Sequence, residues 1–327
     1  MATRRLLLLL KPWDVYPIQH HSNGGISRVS NPKEMQVLRH LESRRKVQQD
    51  SVNFCQKVLR KKFVDWTAIM RGDLLKPIRD VDLVVTIGGD GTLLHASHFV
   101  DDSIPVLGVN SDPTQPQEVE KFSDEVDASR STGHLCAATV NNFENILDDI
   151  LENRRVPSLI SRMLISVNSE LLSTHALNDI LIADPCPATV SQFSFRIIQR
   201  DGKQHSPLVH CRSSGLRVST AAGSTAAMLS AGGFVMPIFS KDLQFMVREP
   251  ILSSTCRSKL KHGIGKKDKP MHGFVKPDES MEVSWFCKEG KIYIDGSNNF
   301  FNVRHGDIIE LSSNAPVLKI FLPQRLL

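Results

Sequence analysis

Asp82-Leu83-Val84-Val85-Thr86-Ile87-Gly88-Gly89-Asp90-Gly91-Thr92-Leu93-Leu94 is the stretch on which the fold turns. Its first half is a short, β-branched, nearly unbroken apolar run, the pattern of a parallel strand covered on both faces. Three of the next four residues are glycine, and Leu93, Leu94 and Ala96 then begin a helical pattern. A strand, a glycine turn and a helix start leave free backbone N–H groups and the positive end of a helix dipole above the sheet. Phosphate suits such a place, because glycine lets the main chain come close to a pyrophosphate. Asp90 is the odd residue, since a carboxylate aimed at phosphates is repulsive unless it takes a hydroxyl proton or meets a phosphate-bound metal. The plainer alternative is a tight strand-to-helix turn in which Asp90 caps the helix.

The 327 residues, 41% hydrophobic and 23% charged, make a globular chain with room for two domains. A net charge of +5 with dispersed basic residues favours a polyanionic small molecule over a nucleic-acid partner. The dense run from Arg257 to Lys269 has no aromatics and reads first as a solvated loop, second as a rim facing substrate. Cys55, Cys136, Cys186, Cys211, Cys256 and Cys287 are widely separated, with no zinc-type spacing. No metal site is therefore expected, and free thiols in a reducing compartment are. The Leu6 to Leu10 run is too short for a signal peptide and meets Lys11-Pro12, so it reads as the first core strand. No stretch approaches the roughly 18 to 20 apolar residues of a membrane span, and no membrane partner is expected. Cytosol is the expected location; the ending Gln324-Arg325-Leu326-Leu327, basic and leucine-terminated but not S-K-L, leaves peroxisome as the alternative.

Beyond the glycine turn, the pattern predicts a long helix opened by Asn31 and Pro32, with Leu38, Leu41, Val52, Cys55, Val58 and Leu59 as its buried side. Ile104 to Val109 reads as the next parallel strand, 110–131 as a surface loop, and Phe143, Ile146, Leu147, Ile150 and Leu151 share one helix face. After Arg155 the texture changes to short strands at Met163–Val167, Phe193–Ile198, Val283–Phe286 and Lys291–Ile294, punctuated by Asp201-Gly202 and Glu289-Gly290 as turns. The predicted class is α/β plus mainly β: a Rossmann-like N-terminal domain over 1–155, then a β-rich, sandwich-like C-terminal domain over 156–327.

A second constellation runs from Ser219 to Gly233, hydroxyl-rich and small, after the strand Gly215-Leu216-Arg217-Val218. Small side chains leave room for a flat ring and the hydroxyls can meet adenine or ribose, although small residues also allow tight helix packing. Asn178-Asp179 interrupts an apolar run and is either a turn or a ligand contact. His95 and His98 fit a helix surface or packing role, and Trp13, Trp66 and Trp285 fit core or interface positions.

With these motifs in order, at Gly88 to Thr92, Asn178-Asp179 and Ser219 to Gly233, the sequence resembles the NAD kinase family. The first motif is shared with diacylglycerol-type lipid kinases and 6-phosphofructokinases; the later two separate them. The opening Leu6 to Lys11, the 112–131 insertion and Ser131 to Cys136 bring it nearest to the plant NADH kinase branch. The resemblance implies a dinucleotide-binding C-terminal domain, an active site between the domains and a homodimer. It implies ATP as phosphate donor, with Mg²⁺ carried on it, and NADH in preference to NAD⁺ as acceptor, giving NADPH or NADP⁺. Asp90 would take the proton from the adenosine 2′-hydroxyl, while Gly88, Gly89, Gly91 and Thr92 line the phosphate path. Asn178 and Asp179 would hold the nucleotide, and Thr225 would contact adenine within a binding turn made of Thr220, Gly223, Ser224 and Ala226. Asp295 would close the ribose side. Ser214 stands where many relatives have an aspartate, Thr220-Ala221-Ala222 where they have T-P-T or T-P-S, and Ala227 where they have a tyrosine, so an acid, a hydroxyl and an aromatic ring are lost. Loss of that acid is expected to favour the uncharged dihydronicotinamide ring. The rivals are a GGDGT-type lipid kinase, for which no amphipathic basic helix exists, and a catalytically silent dinucleotide sensor.

Overall fold

The computed structural model describes residues 3–12, 32–114, 119–120, 131–202, 205–251 and 271–327, with the backbone alone over 32–41. Trp13, the Asn31 cap, Cys256, the basic run at 257–269 and most of the 110–131 loop lie outside the described residues. The chain forms two compact units, residues 1–158 with 319–327, and residues 159–318.

The first unit is built on parallel strands. Strands β1 (Arg4–Leu10), β2 (Val64–Met70), β3 (Leu83–Gly88), β4 (Val106–Asn110), β5 (Ala138–Thr139), β6 (Ser158–Ile160) and the final strand β19 (Leu318–Phe321) make a seven-stranded sheet. Its order is β2-β1-β3-β4-β19-β6, with β5 beside β4. The apolar runs form central strands because both faces are covered: every residue of β3 and β4 is buried. Helix α1 (Pro32–Arg60) contributes Val52, Cys55, Val58 and Leu59 to that core. Helix α2 (Asp90–Ser97) follows the glycine turn, and α3 (Phe143–Leu151) packs Phe143, Ile146, Leu147 and Ile150 into the same core. Strand β2 has no counterpart in the sequence reading; it is an edge strand, largely half-buried or exposed. The closing strand returns to this sheet, Ile320 and Phe321 pairing with Val106 and Leu107, which a linear division at 155/156 does not capture.

The second unit is a sandwich. Strands β7 (Leu164–Val167), β8 (Glu170–Leu171), β9 (Asp179–Ala183), β10 (Ser191–Gln199), β11 (Val209–Ser213), β12 (Gly215–Ser219), β13 (Leu243–Arg248), β14 (His272–Val275), β15 (Glu279–Trp285), β16 (Glu289–Ile294), β17 (Asn299–Arg304) and β18 (Ile308–Ser312) form two sheets. Their orders are β11-β10-β15-β18-β7-β8 and β14-β13-β12-β9-β16-β17, with antiparallel pairing. Inward residues of both merge into one core, where the Phe195 ring of one sheet meets the Phe245 ring of the other edge-on at 5.3 Å. Glu289-Gly290 is not a turn but the start of β16. Gly290 is glycine because a Cβ there would strike the buried Trp285 indole.

Candidate active site

The glycine turn takes its shape from what surrounds it. A Cβ on Gly88 would collide with the Thr92 side chain, and one on Gly89 with Ser131. Thr92 is buried and its hydroxyl has no hydrogen-bond partner among the described residues, an orphan polar atom at the mouth of a helix. Gly91 is exposed, and the Arg71 guanidinium lies 3.8 Å from where its Cβ would stand. Lys11, beside Gly88, has its ammonium pushed below the usual lysine range by burial, with Asp112 opposing and the cations Arg44 and Arg71 reinforcing. Basic side chains therefore converge on this turn at the N-terminus of α2, as a phosphate group requires.

Asp90 does not cap its own helix. It is the first residue of α2, and its carboxylate accepts hydrogen bonds from the His134 N–H (2.8 Å) and the Leu135 N–H (2.9 Å). The Thr132 hydroxyl adds a longer one at 3.4 Å. Two charge-assisted backbone bonds fix the carboxylate's direction while leaving the residue half-buried. Burial holds the neighbouring His134 below its usual range, against the pull of Asp90, and raises the Cys136 thiol well above its own.

In the second unit the turn after β12 is clamped onto the start of β9. The Thr220 N–H bonds the Asn178 carbonyl (2.9 Å), and the Thr220 hydroxyl reaches the Leu177 carbonyl. A Cβ on Gly223 would fall inside contact distance of the Asn178 backbone. Ser224 is buried and bonds Ala221 O and Met236 N; Thr225 and Ala226 are half-buried, the Thr225 hydroxyl 3.4 Å from Ala222 O. Asp295, at a left-handed φ of 51°, accepts the N–H groups of Leu177 (2.7 Å), Asn178 (2.7 Å) and Asp179 (3.0 Å). Asp295 and Thr220 thus shape the Asn178-Asp179 corner with their own polar atoms. Asn178 Oδ1 and Arg217 Nε are left buried with no partner among the described residues.

A pocket of about 610 Å³ opens beside this corner, lined by Asp179, Arg217, Ser214, Ala227, Glu249 and Tyr293 among others. Asp179 pairs with Arg217 there; burial raises its pKa, Arg217 opposes that, and Asp295 adds to it. Ser214 and Ala227, two of the three departures singled out in the sequence, both face this space. The Ser214 hydroxyl donates to the Glu249 carboxylate. The pocket therefore carries a carboxylate, that of Glu249, directly on the Ser214 hydroxyl, beside those of Asp179 and Asp184 in its lining.

A sequence model of the ATP-NAD kinase N-terminal domain matches residues 3–112. Over 98% of its length the chain is 60% identical to the NADH kinase of Arabidopsis thaliana, covering 96% of that protein. It is 53% identical to a probable NADH kinase of Oryza sativa subsp. japonica, covering 100% of this chain and 99% of that protein. This chain belongs to the NAD kinase family. The NAD kinase fold is equally plain among solved structures. An NAD kinase from Archaeoglobus fulgidus in complex with ATP aligns at a TM-score of 0.62, with 18% identity over 98% of this chain and 95% of that one. Yeast NADH kinase complexed with NADH aligns at 0.63, with 16% identity over 99% and 84%.

For this NAD kinase family member the structure adds residues that sequence reasoning passed over: Arg217, Glu249 and the amides of His134 and Leu135. Arg217 left a signal, a lone cation within an apolar strand. The His95 ring lies tilted against those of His98 (6.5 Å) and Phe99 (5.1 Å), in keeping with packing. Trp285 is a core residue, and Trp66 is half-buried.

Proposed function

We propose that this protein is an ATP-dependent NADH kinase, transferring the γ-phosphate of ATP to the 2′-hydroxyl of the adenosine ribose of NADH, and less readily of NAD⁺. The carrying observation is the Asp90 carboxylate, at the head of a helix, aimed by two backbone N–H groups and not spent on a cap. In the reaction Asp90 takes the 2′-hydroxyl proton as that oxygen bonds to the γ-phosphorus, and the bond to the ADP oxygen breaks. Gly88, Gly89, Gly91 and Thr92 offer close backbone approach and an orphan hydroxyl to the moving phosphate. Mg²⁺ enters as part of the substrate, on the ATP phosphates. The second unit supplies dinucleotide recognition: Asp179 lines the pocket, Asn178 precedes it with its Oδ1 buried and unpartnered among the described residues, Thr225 stands half-buried in the turn after β12, and Thr220, Gly223, Ser224, Ala226 and Asp295 hold that corner in shape. Preference for NADH rests on the plant relatives bearing that name, not on pocket charge.

A homodimer and a cytosolic location belong to the same reading, with peroxisome as the alternative. Cys55, Cys136, Cys186, Cys211 and Cys287 are all free, which supports a reducing compartment. Among the described residues no helix is long and apolar enough to cross a membrane.

The test is NADPH and NADP⁺ production by purified protein given Mg-ATP with NADH or NAD⁺ in parallel. Faster NADH turnover, reduced on the order of a hundred- to ten-thousandfold in Asp90→Asn, is the expected result. Equal or greater NAD⁺ turnover would keep the family and remove the preference. Dinucleotide binding without turnover on either would favour the silent sensor.

A further inference from the structure

The loop that aims Asp90 is itself gripped from behind. Arg325, in the helical turn Gln324–Leu326 that ends the chain, donates from one guanidinium nitrogen to the Gly133 carbonyl (2.7 Å) and the His134 carbonyl (3.3 Å). These carbonyls belong to the two peptide units whose N–H groups, on His134 and Leu135, bind the Asp90 carboxylate. A peptide unit is planar, so holding its oxygen fixes the direction of its N–H. A cation on the oxygen also polarises the unit and strengthens the bond its N–H donates. From this relay we infer that Arg325 is a positioning residue for phosphoryl transfer, acting on Asp90 through the 133–134 and 134–135 peptides.

The surroundings make the relay stiff at both ends. Arg325 follows β19, whose Phe321 is buried against the sheet, and Arg155 donates to the Leu322 carbonyl at 2.7 Å. At the other end Gly133 adopts a φ of 57° with no room for a Cβ against Asn110, and the Asn110 side-chain amide donates to the Ser131 carbonyl at 3.1 Å. Without Arg325 the two amides lose their rear anchor while the loop keeps its flanks. The loss expected is one of aim, not of fold. A misplacement of about 1 Å in a reacting group costs on the order of a hundredfold in rate. Arg325 is exposed, so small solutes can reach its place.

This inference rests on Asp90 being the base, and the experiment separates the two. Steady-state kinetics with Mg-ATP and NADH are measured for Arg325→Ala, Arg325→Lys and the neighbouring exposed control Gln324→Ala. For Arg325→Ala, kcat should fall roughly ten- to hundredfold with both KM values little changed and the thermal midpoint close to that of the parent. Low-millimolar guanidinium should restore part of the rate. Arg325→Lys should fall between, because one compact ammonium grips two carbonyls less well than a guanidinium, and Gln324→Ala should match the parent. In an Asp90→Asn background Arg325→Ala should cost nothing further, since the relay then has no base to aim. Unchanged kcat in Arg325→Ala, or the same fold-loss with and without Asp90, would overturn the relay. Full turnover by Asp90→Asn alone would instead remove the base reading on which it stands.

Discussion

Asp179 and Asp295 are neighbours with the same functional group and different work, and their partners set the difference. Asp295 receives three consecutive backbone N–H groups and acts as a clip on the Asn178-Asp179 corner. Asp179 is buried, and its carboxyl is raised above the ordinary range despite the Arg217 cation. The sign of the linkage follows. The folded chain holds the Asp179 proton more tightly than the unfolded chain, so this group's contribution to stability falls as pH rises from the ordinary carboxylate range to the raised value. Above that value the full penalty is present, offset by the ion pair. Asp179→Asn removes the titration but leaves Arg217, most of its surface covered, without its counter-charge. The second effect wins at neutral pH, and a loss of roughly 3 kcal/mol is expected by denaturant titration. Adding Arg217→Met should recover much of it, and a double variant no more stable than Asp179→Asn would show that the pair is not what the single variant broke.

At the scale of elements, both candidate sites are places where a strand stops and the next turn is pressed against a neighbouring backbone. After β12 that pressure falls on Gly223, whose missing Cβ is the space the Asn178 carbonyl occupies. Gly223→Ala should push the 220–226 turn off the start of β9, cost about 1–3 kcal/mol as overpacking does, and weaken NADH binding by calorimetry more than it lowers the thermal midpoint. Unaltered affinity would mean the turn takes no part in recognition. These turns were legible in the sequence because glycine and small hydroxyl residues mark close approach directly. The buried strands β1, β3 and β4 were equally legible as continuous apolar runs. Strand β2 was not, because an edge strand with exposed Asp65, Thr67 and Ala68 carries little burial signal. Gly290 misled for a physical reason, since a glycine that makes way for an indole looks in sequence like one that makes a turn. Arg217, Glu249 and Arg325 were not legible as site residues because the fold alone brings them to their partners, Arg325 across 192 positions of chain.

On the scale of the molecule, the chain leaves the first compact unit after 158, builds the whole sandwich, and comes back to that unit for its last nine residues. The sandwich core draws on residues from Met163 to Leu311 and needs nothing beyond them, whereas the core of the first unit includes Phe321. Ile320, Phe321 and Leu322 are 0%, 3% and 1% exposed. At roughly 1.5–3 kcal/mol for each large apolar side chain, their removal would cost on the order of 5–9 kcal/mol. That is comparable with the 5–15 kcal/mol that holds an ordinary domain together. A chain ending at Leu318 should therefore lose amide-exchange protection in β1, β3 and β4 while β10, β12 and β15 stay protected. NADH should still quench or shift the spectrum of the truncated chain on binding to the second unit, with no NADPH formed. Equal loss of protection in both units would mean that the sandwich depends on the sheet the chain returns to. Full protection in both would mean that the closing strand adds far less than its burial implies.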